Sequence, residues 1–269
     1  MKKYSLIIVF AILFSFNSCD FEKKDKENLN LVSDLGEIKD CKENNKILLI
    51  NIGSNTRLQI FEIIKLVYQG NAKTIAVNII FRESKDVDKD LNLFLGNKKN
   101  IVFSEQLINN NDFFSGIKNG PFLNANKGFV VYKNLELENK MPITGFINFK
   151  IQNGKKSETS FFSKAIESYD PIIYKNLSQN PYFPIQFTCD LGNFNLIKPD
   201  FFKSEKLDLN VFKNKLVIIG YFPGGLHNQE TVHELIKSFN PLNTTKYNSS
   251  LVIANTFLTL LESEYLKKK

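Results

Sequence analysis

Tryptophan is absent from this chain, cysteine occurs three times and histidine twice in 269 residues. No Cys-x-x-Cys pair exists, which excludes a thioredoxin-type redox motif and a zinc knuckle. No Gly-x-Ser-x-Gly elbow, P-loop or Gly-x-Gly-x-x-Gly turn is present, so the common hydrolase, nucleotide and dinucleotide signatures are missing. The formal charge is +7, yet the lysines are scattered among acids. No stretch joins clustered basic residues with interleaved aromatics, which argues against nucleic acid as a partner. The two histidines lie in His227-Asn-Gln-Glu230-Thr-Val-His233-Glu234. His, Glu and His three apart can share a helical face, but the spacing is not His-Glu-x-x-His. Histidines beside acids in an exposed loop are the plainer reading, so no metal and no cofactor are expected. Beyond the first twenty residues no apolar run approaches the roughly 20 residues a membrane-spanning helix needs. No internal repeat is visible.

What the chain does have is apolar bulk: 43% hydrophobic residues, among them 25 phenylalanines. That can fill a sizeable core. It also has a distinctive start. Lys2-Lys3 precede the apolar run Leu6–Phe14, and Ser15-Phe16-Asn17-Ser18 leads to Cys19-Asp20. A short basic region, a short apolar region and a small residue before a cysteine form a bacterial lipoprotein signal. Residues 1–18 are therefore expected to be a signal peptide and Cys19 the lipidated residue. An uncleaved anchor helix gives nearly the same topology. Either way the protein is expected in the cell envelope, membrane-anchored and facing the periplasm or the cell exterior.

Residues 19–45 are polar, with Glu-Lys-Lys-Asp-Lys-Glu at Glu22–Glu27, and read as a flexible tether. Residues 46–269 read as the folded domain. Cys41 and Cys189 remain after Cys19: a disulfide in an oxidising compartment and two free thiols both fit. Ile47–Ile50 is a continuous apolar run, as in a strand buried on both faces. Gly53-Ser54-Asn55 breaks it. Arg57–Gln69 places Leu58, Phe61, Ile64 and Val67 or Tyr68 at helical spacing, and Gly70 stops it. Thr74–Phe81 is a second strand. This strand–helix–strand unit implies parallel pairing. Further expectations are a helix over Asp86–Leu95 with Leu91, Phe94 and Leu95 inward, and a strand at Ile101–Phe103. A loop-rich middle over Asn109–Lys156 holds strands at Phe129–Val131 and Ile143–Lys150. A serine-capped helix over Ser160–Tyr169 is closed by Asp170-Pro171. Strands are expected at Ile185–Thr188 and Leu216–Ile219. A last helix, Leu251–Leu266, is capped by Ser249 or Ser250 and carries Ile253, Phe257, Leu260 and Leu261 on one face. The expected fold is α/β and three-layered: a largely parallel sheet flanked by helices, with an irregular β-rich insertion.

Three segments in order carry a family likeness. They are Gly-Asn-Ala-Lys-Thr-Ile-Ala-Val-Asn-Ile-Ile-Phe at Gly70–Phe81, Phe-Lys-Asn-Lys-Leu-Val-Ile-Ile-Gly at Phe212–Gly220, and Val-Ile-Ala-Asn-Thr-Phe-Leu-Thr-Leu-Leu at Val252–Leu261. Between them stand Gly128-Phe129-Val130 and Ile185-Gln186-Phe187. From Ile47 to Leu261 the chain resembles the CHASE2 domain, an extracytoplasmic sensory module of bacterial receptors. The likeness implies a ligand-binding or signalling role and a site at the strand ends. The family's acids after its first strand correspond to Asn51-Ile52-Gly53, the acid of its second strand to Asn78, and the acid after its Gly-rich loop falls near His227-Asn228. Its histidine before Ala-Asn is Ile253, while Ala254-Asn255 is kept. Amides in place of carboxylates keep hydrogen bonding and lose cation affinity. Family members run on into membrane helices and a cytoplasmic enzyme; here the lipid anchor is expected to stand in their place.

The expected function is thus that of a non-enzymatic sensory or ligand-binding lipoprotein, without an output domain of its own. Its site residues would be Asn51, Ser54, Asn55, Asn78, His227, Asn228 and Asn255. Ser54 and Asn55 also suit a helix cap, and Asn255 a buried amide. The rival expectation is an interaction subunit of a membrane signalling complex with a vestigial pocket. Its partner would be a membrane signalling protein in place of a small ligand.

Overall fold

The structure is a computed structural model. It describes residues 44–81, 83–105, 107–110, 113–117, 121–130, 132–133, 146–148, 150–153, 156–178, 182–184, 189, 193–204, 206–222 and 250–262. All of these fall within one unit, Asp40–Lys269. The signal and Cys19, Cys41, the strand expected at Ile185–Thr188, the loop bearing His227, Asn228 and His233, and the end of the last helix lie outside the described residues.

In chain order the elements are β1 (Ile47–Asn51), α1 (Arg57–Gln69), β2 (Thr74–Asn78), α2 (Asp88–Leu95) and β3 (Ile101–Glu105). Then come β4 (Leu107–Asn110), β5 (Phe113–Ile117), β6 (Asn126–Phe129), β7 (Tyr132–Lys133), β8 (Phe146–Asn148), β9 (Lys150–Asn153) and β10 (Lys156–Thr159). The rest is α3 (Phe161–Tyr169), α4 (Pro171–Leu177), β11 (Tyr182–Pro184), β12 (Asn195–Ile197), short 3-10 turns at Pro199–Lys203 and Leu209–Phe212, β13 (Leu216–Gly220) and α5 (Ser250–Glu262).

Six strands form one sheet in the order β12-β1-β13-β2-β3-β6, parallel at every pairing. The expected α/β class holds. So does the β-rich insertion: β4–β5, β9–β10 and β11-β8-β7 are small antiparallel sheets. The apolar runs stay apolar because both faces of the sheet are covered. Alternate residues feed two separate cores. Ile47, Leu49, Ala76, Val102, Leu216 and Ile218 pack under α3, α4 and α5. Leu48, Ile50, Ile75, Val77, Val217 and Ile219 pack under α1 and α2. That is three layers, helix, sheet and helix. Phenylalanines form one aromatic cluster within each core. Phe161, Phe162 and Phe257 join α3 to α5 with centroids 5.1–5.8 Å apart, and Phe81, Phe103 and Phe122 meet beyond β2 at 5.0–6.2 Å.

Local signals explain the ends. Thr56 caps α1: its side chain accepts from Gln59 N, and the Gln59 side chain accepts from Thr56 N at 2.8 Å. This capping box displaces Ser54 and Asn55 as caps, because the Thr-x-x-Gln spacing satisfies two orphan donors at once. The buried face of α1 is Ile60, Phe61, Ile63, Ile64 and Val67. Leu58, expected inward, is exposed. Ser160 caps α3 as expected, accepting from Ser163 N. Asp170-Pro171 does more than close α3: Asp170 accepts from Ile172 and Ile173 N and Pro171 opens α4. The last helix is not one-sided. Every residue from Val252 to Leu261 is buried, including Thr256 and Thr259, whose hydroxyls donate to Val252 O and Asn255 O one turn back. Cys189 is buried in the core under α5 and is disulfide-bonded. Asn44, from the expected tether, is buried too; its carboxamide oxygen accepts from Lys46 N and Ile47 N, and its amide donates to Glu262 at the end of α5.

Candidate functional site

In an open parallel sheet the carboxyl ends of the strands are where loops diverge and ligands settle. Here β1, β13 and β2 end together. Asn51 is opposite Gly220 and Gly220 opposite Asn78. Two of the sequence-derived site residues thus flank a glycine across three adjacent strands. A Cβ at Gly220 would sit 3.6 Å from the Phe222 ring and 3.7 Å from Asn78 Cβ, ordinary contacts.

Asn51 is consumed by the scaffold. Its Oδ1 accepts from Gly53 N (3.0 Å) and Phe222 N (3.2 Å), and its Nδ2 donates to Phe222 O (3.0 Å). One amide therefore ties the loop after β1 to the loop after β13. Gly53 takes φ +51°, the left-handed turn that the Asn51 bond closes. Ser54 is exposed, and Asn55, half-buried, gives its backbone N–H to Ile52 O at 3.0 Å. Among the described residues, the side chains of Ser54, Asn55 and Asn78 make no hydrogen bond, so three polar groups stand unengaged at the strand ends. His227 and Asn228, the remaining rim candidates, lie outside the described residues.

Asn255 does not join this rim. It is fully buried on α5, where Oδ1 accepts from Cys189 N (3.1 Å) and Nδ2 donates to Cys189 O (2.9 Å). This is the arrangement of a buried amide, the alternative that the sequence also allows at Asn255. An amide satisfies a backbone N–H and C=O together, and here it does so for the buried backbone of Cys189.

A group the sequence did not single out completes the rim. Arg57, the first residue of α1, donates from one Nη to Asp88 Oδ2 (2.6 Å) and to Glu83 O (2.7 Å). Its guanidinium lies 5.0 Å from the Phe81 ring centroid. Asp88 Oδ2 also accepts from Lys85 N at 2.7 Å, while Oδ1 is buried without a partner. The pair is well shielded, with side-chain exposures of 14% and 3%. It fastens the segment after β2 to the start of α1. Nothing in the spacing of Arg57 and Asp88 signals the contact, because it depends on the β2–α2 loop folding back over the helix start.

The chemistry at hand is therefore amide and hydroxyl groups, the backbone N–H groups of a helix start, and one guanidinium already bonded to a carboxylate. Among the described residues no cluster of His, Cys, Asp and Glu can hold a metal ion, and no helix is long and apolar enough to cross a membrane. Comparison with protein-family models, with curated proteins and with solved structures finds no match.

Proposed function

We propose that this chain is a membrane-anchored, non-enzymatic sensory lipoprotein. Its CHASE2-like domain binds a small uncharged or anionic ligand at the carboxyl ends of β1, β13 and β2. The single observation supporting it is the row Asn51–Gly220–Asn78, with Ser54, Asn55 and Asn78 unengaged beside the start of α1. Ser54, Asn55 and Asn78 are the contacting groups, and Asn51 positions the loops that carry them. Without a free carboxylate among these residues a hard divalent cation is a poor fit, since calcium takes several oxygen ligands and favours charged ones. Cys19 carries the anchor and places the domain outside the cytoplasm.

Titrations of the full exported chain, followed by the side-chain amide NMR signals of Asn55 and Asn78, test the site. A panel of neutral sugars, amino acids and small carboxylates should contain compounds that shift both signals together, and calcium should shift neither. Tight calcium binding at these amides, or panel compounds that shift only distant signals, overturns the reading.

One observation favours an interaction subunit instead. Leu93 on α2 and Leu123 in the adjoining turn are 81% and 80% exposed. Asn92 fixes the two segments together by donating to Pro121 O at 3.0 Å. If that apolar face docks a membrane signalling protein, Leu93→Lys with Leu123→Lys abolishes the association without moving the Asn55 and Asn78 signals.

A further inference from the structure

The disulfide at Cys189 needs a partner, and the chain offers only Cys19 and Cys41. We propose that the partner is Cys41, so that a covalent bridge fastens the segment just ahead of β1 to the core beneath α5 and leaves Cys19 outside it. Three contacts carry this. Asn44 donates to Glu262 Oε1 at 3.1 Å, which holds the entry to β1 against the last turn of α5. Asn255, seven residues earlier on the same helix, clasps the Cys189 backbone at 3.1 and 2.9 Å. At 1.5 Å per residue the two anchoring points are about 10 Å apart along the helix. The three residues from Cys41 to Asn44 span about 10 Å when extended, and a disulfide adds about 5.5 Å between Cα atoms. The reach matches. Cys41 also falls within the unit Asp40–Lys269, whereas Cys19 falls outside it. Closing three residues forfeits far less chain entropy than closing the twenty-five between Cys19 and Asn44.

Forming the bridge joins the two Sγ atoms and releases two protons and two electrons. An oxidised thiol–disulfide exchange protein takes them up as its own disulfide becomes a dithiol. Burial of Cys189 then shields the bond from reductants. The bridge also has a mechanical consequence. A load applied through the N-terminal tether enters the core through a covalent bond and spares the hydrogen bonds of β1.

The test is a peptide map of the full chain, exported to an oxidising compartment and digested without reduction. The expected product is a single crosslinked pair containing Cys41 and Cys189. Cys41→Ser and Cys189→Ser should each lower Tm by roughly 5–15 °C, and the double variant by no more than either alone. Cys19→Ser should leave Tm unchanged. A crosslinked peptide joining Cys19 to Cys189, or free thiols at both Cys41 and Cys189, overturns the assignment. The map needs no variant, so a poorly folding Cys189→Ser leaves it decisive.

Discussion

Asn51 illustrates how one amide replaces what a carboxylate cannot supply. Phe222 presents both an N–H and a C=O to it, and Asn51 answers with an acceptor and a donor. An aspartate keeps the acceptor and places a negative charge against the carbonyl. Asn51→Asp should therefore cost about 1–3 kcal/mol, the penalty for a polar group left unpaired, and Asn51→Ala no less. Urea denaturation at neutral pH measures both; a neutral Asn51→Asp removes the positioning role. The Arg57–Asp88 pair makes a sharper case, because a shielded charge without its partner is costly. Asp88→Ala should lose about 3–5 kcal/mol. Tyr169 ties stability to pH. Burial, and then the charge of neighbouring Asp170, raise its phenol above the ordinary value near 10. The unfolded chain ionises this group first. Its contribution is thus complete below about pH 10 and is lost as pH rises through the raised value. Tyr174 is raised by burial and Glu167 in the same way. Tyr169→Phe should flatten the alkaline limb of the stability profile between pH 9 and 11, read from denaturant midpoints.

At the scale of elements the two cores are separate, so each can be probed alone. Ile50 lies fully buried under α1, and Ile218 fully buried on the opposite face. Ile50→Ala and Ile218→Ala should each cost about 2–5 kcal/mol, each by a cavity in its own core. Losses under about 0.5 kcal/mol at both positions contradict the two-faced sheet. The strands β1, β2, β3 and β13 were legible in the sequence because continuous β-branched and leucine runs mean burial on both faces. At the start of α1 helical spacing allows Leu58 inward, but the buried stripe runs through Ile60 and Ile63. The edge strand β12 has three residues and a half-exposed pattern, too short to show a period. The opening of α4 by Asp170-Pro171 was written in plain capping chemistry, yet a proline after a helix reads first as a stop. At the site, Asn51 was legible as the end of the first apolar run, whereas Asn78 fell inside a strand expected to reach Phe81 and in fact closes β2. The engagement of Asn51 was not legible, because it depends on a backbone group 171 residues away, and the choice between site residue and buried amide at Asn255 stays open in the sequence because its partner is 66 residues away.

The chain combines a three-layer domain with an N-terminal lead that is polar in sequence after Cys19, and its proposed role depends on how that lead is held. If Cys19 carries acyl chains, its thiol is the acceptor, and serine cannot replace it in thioether formation. Cys19→Ser should then abolish fatty-acid labelling and leave the signal uncleaved. An uncleaved signal still offers the apolar run Leu6–Phe14, so fractionation alone is ambiguous: the variant can stay loosely on the membrane. Labelling and intact mass separate the cases. The wild type should carry label and begin at Cys19; the variant should carry none and retain Met1. Unchanged labelling in Cys19→Ser, or a wild type that keeps Met1 and takes no label, removes the lipoprotein reading and leaves an anchor helix in its place. The domain itself should be indifferent to this change. Its described core residues all follow Asn44, so Cys19→Ser should melt like the wild type, and any loss of label then reports the anchor and not a damaged fold.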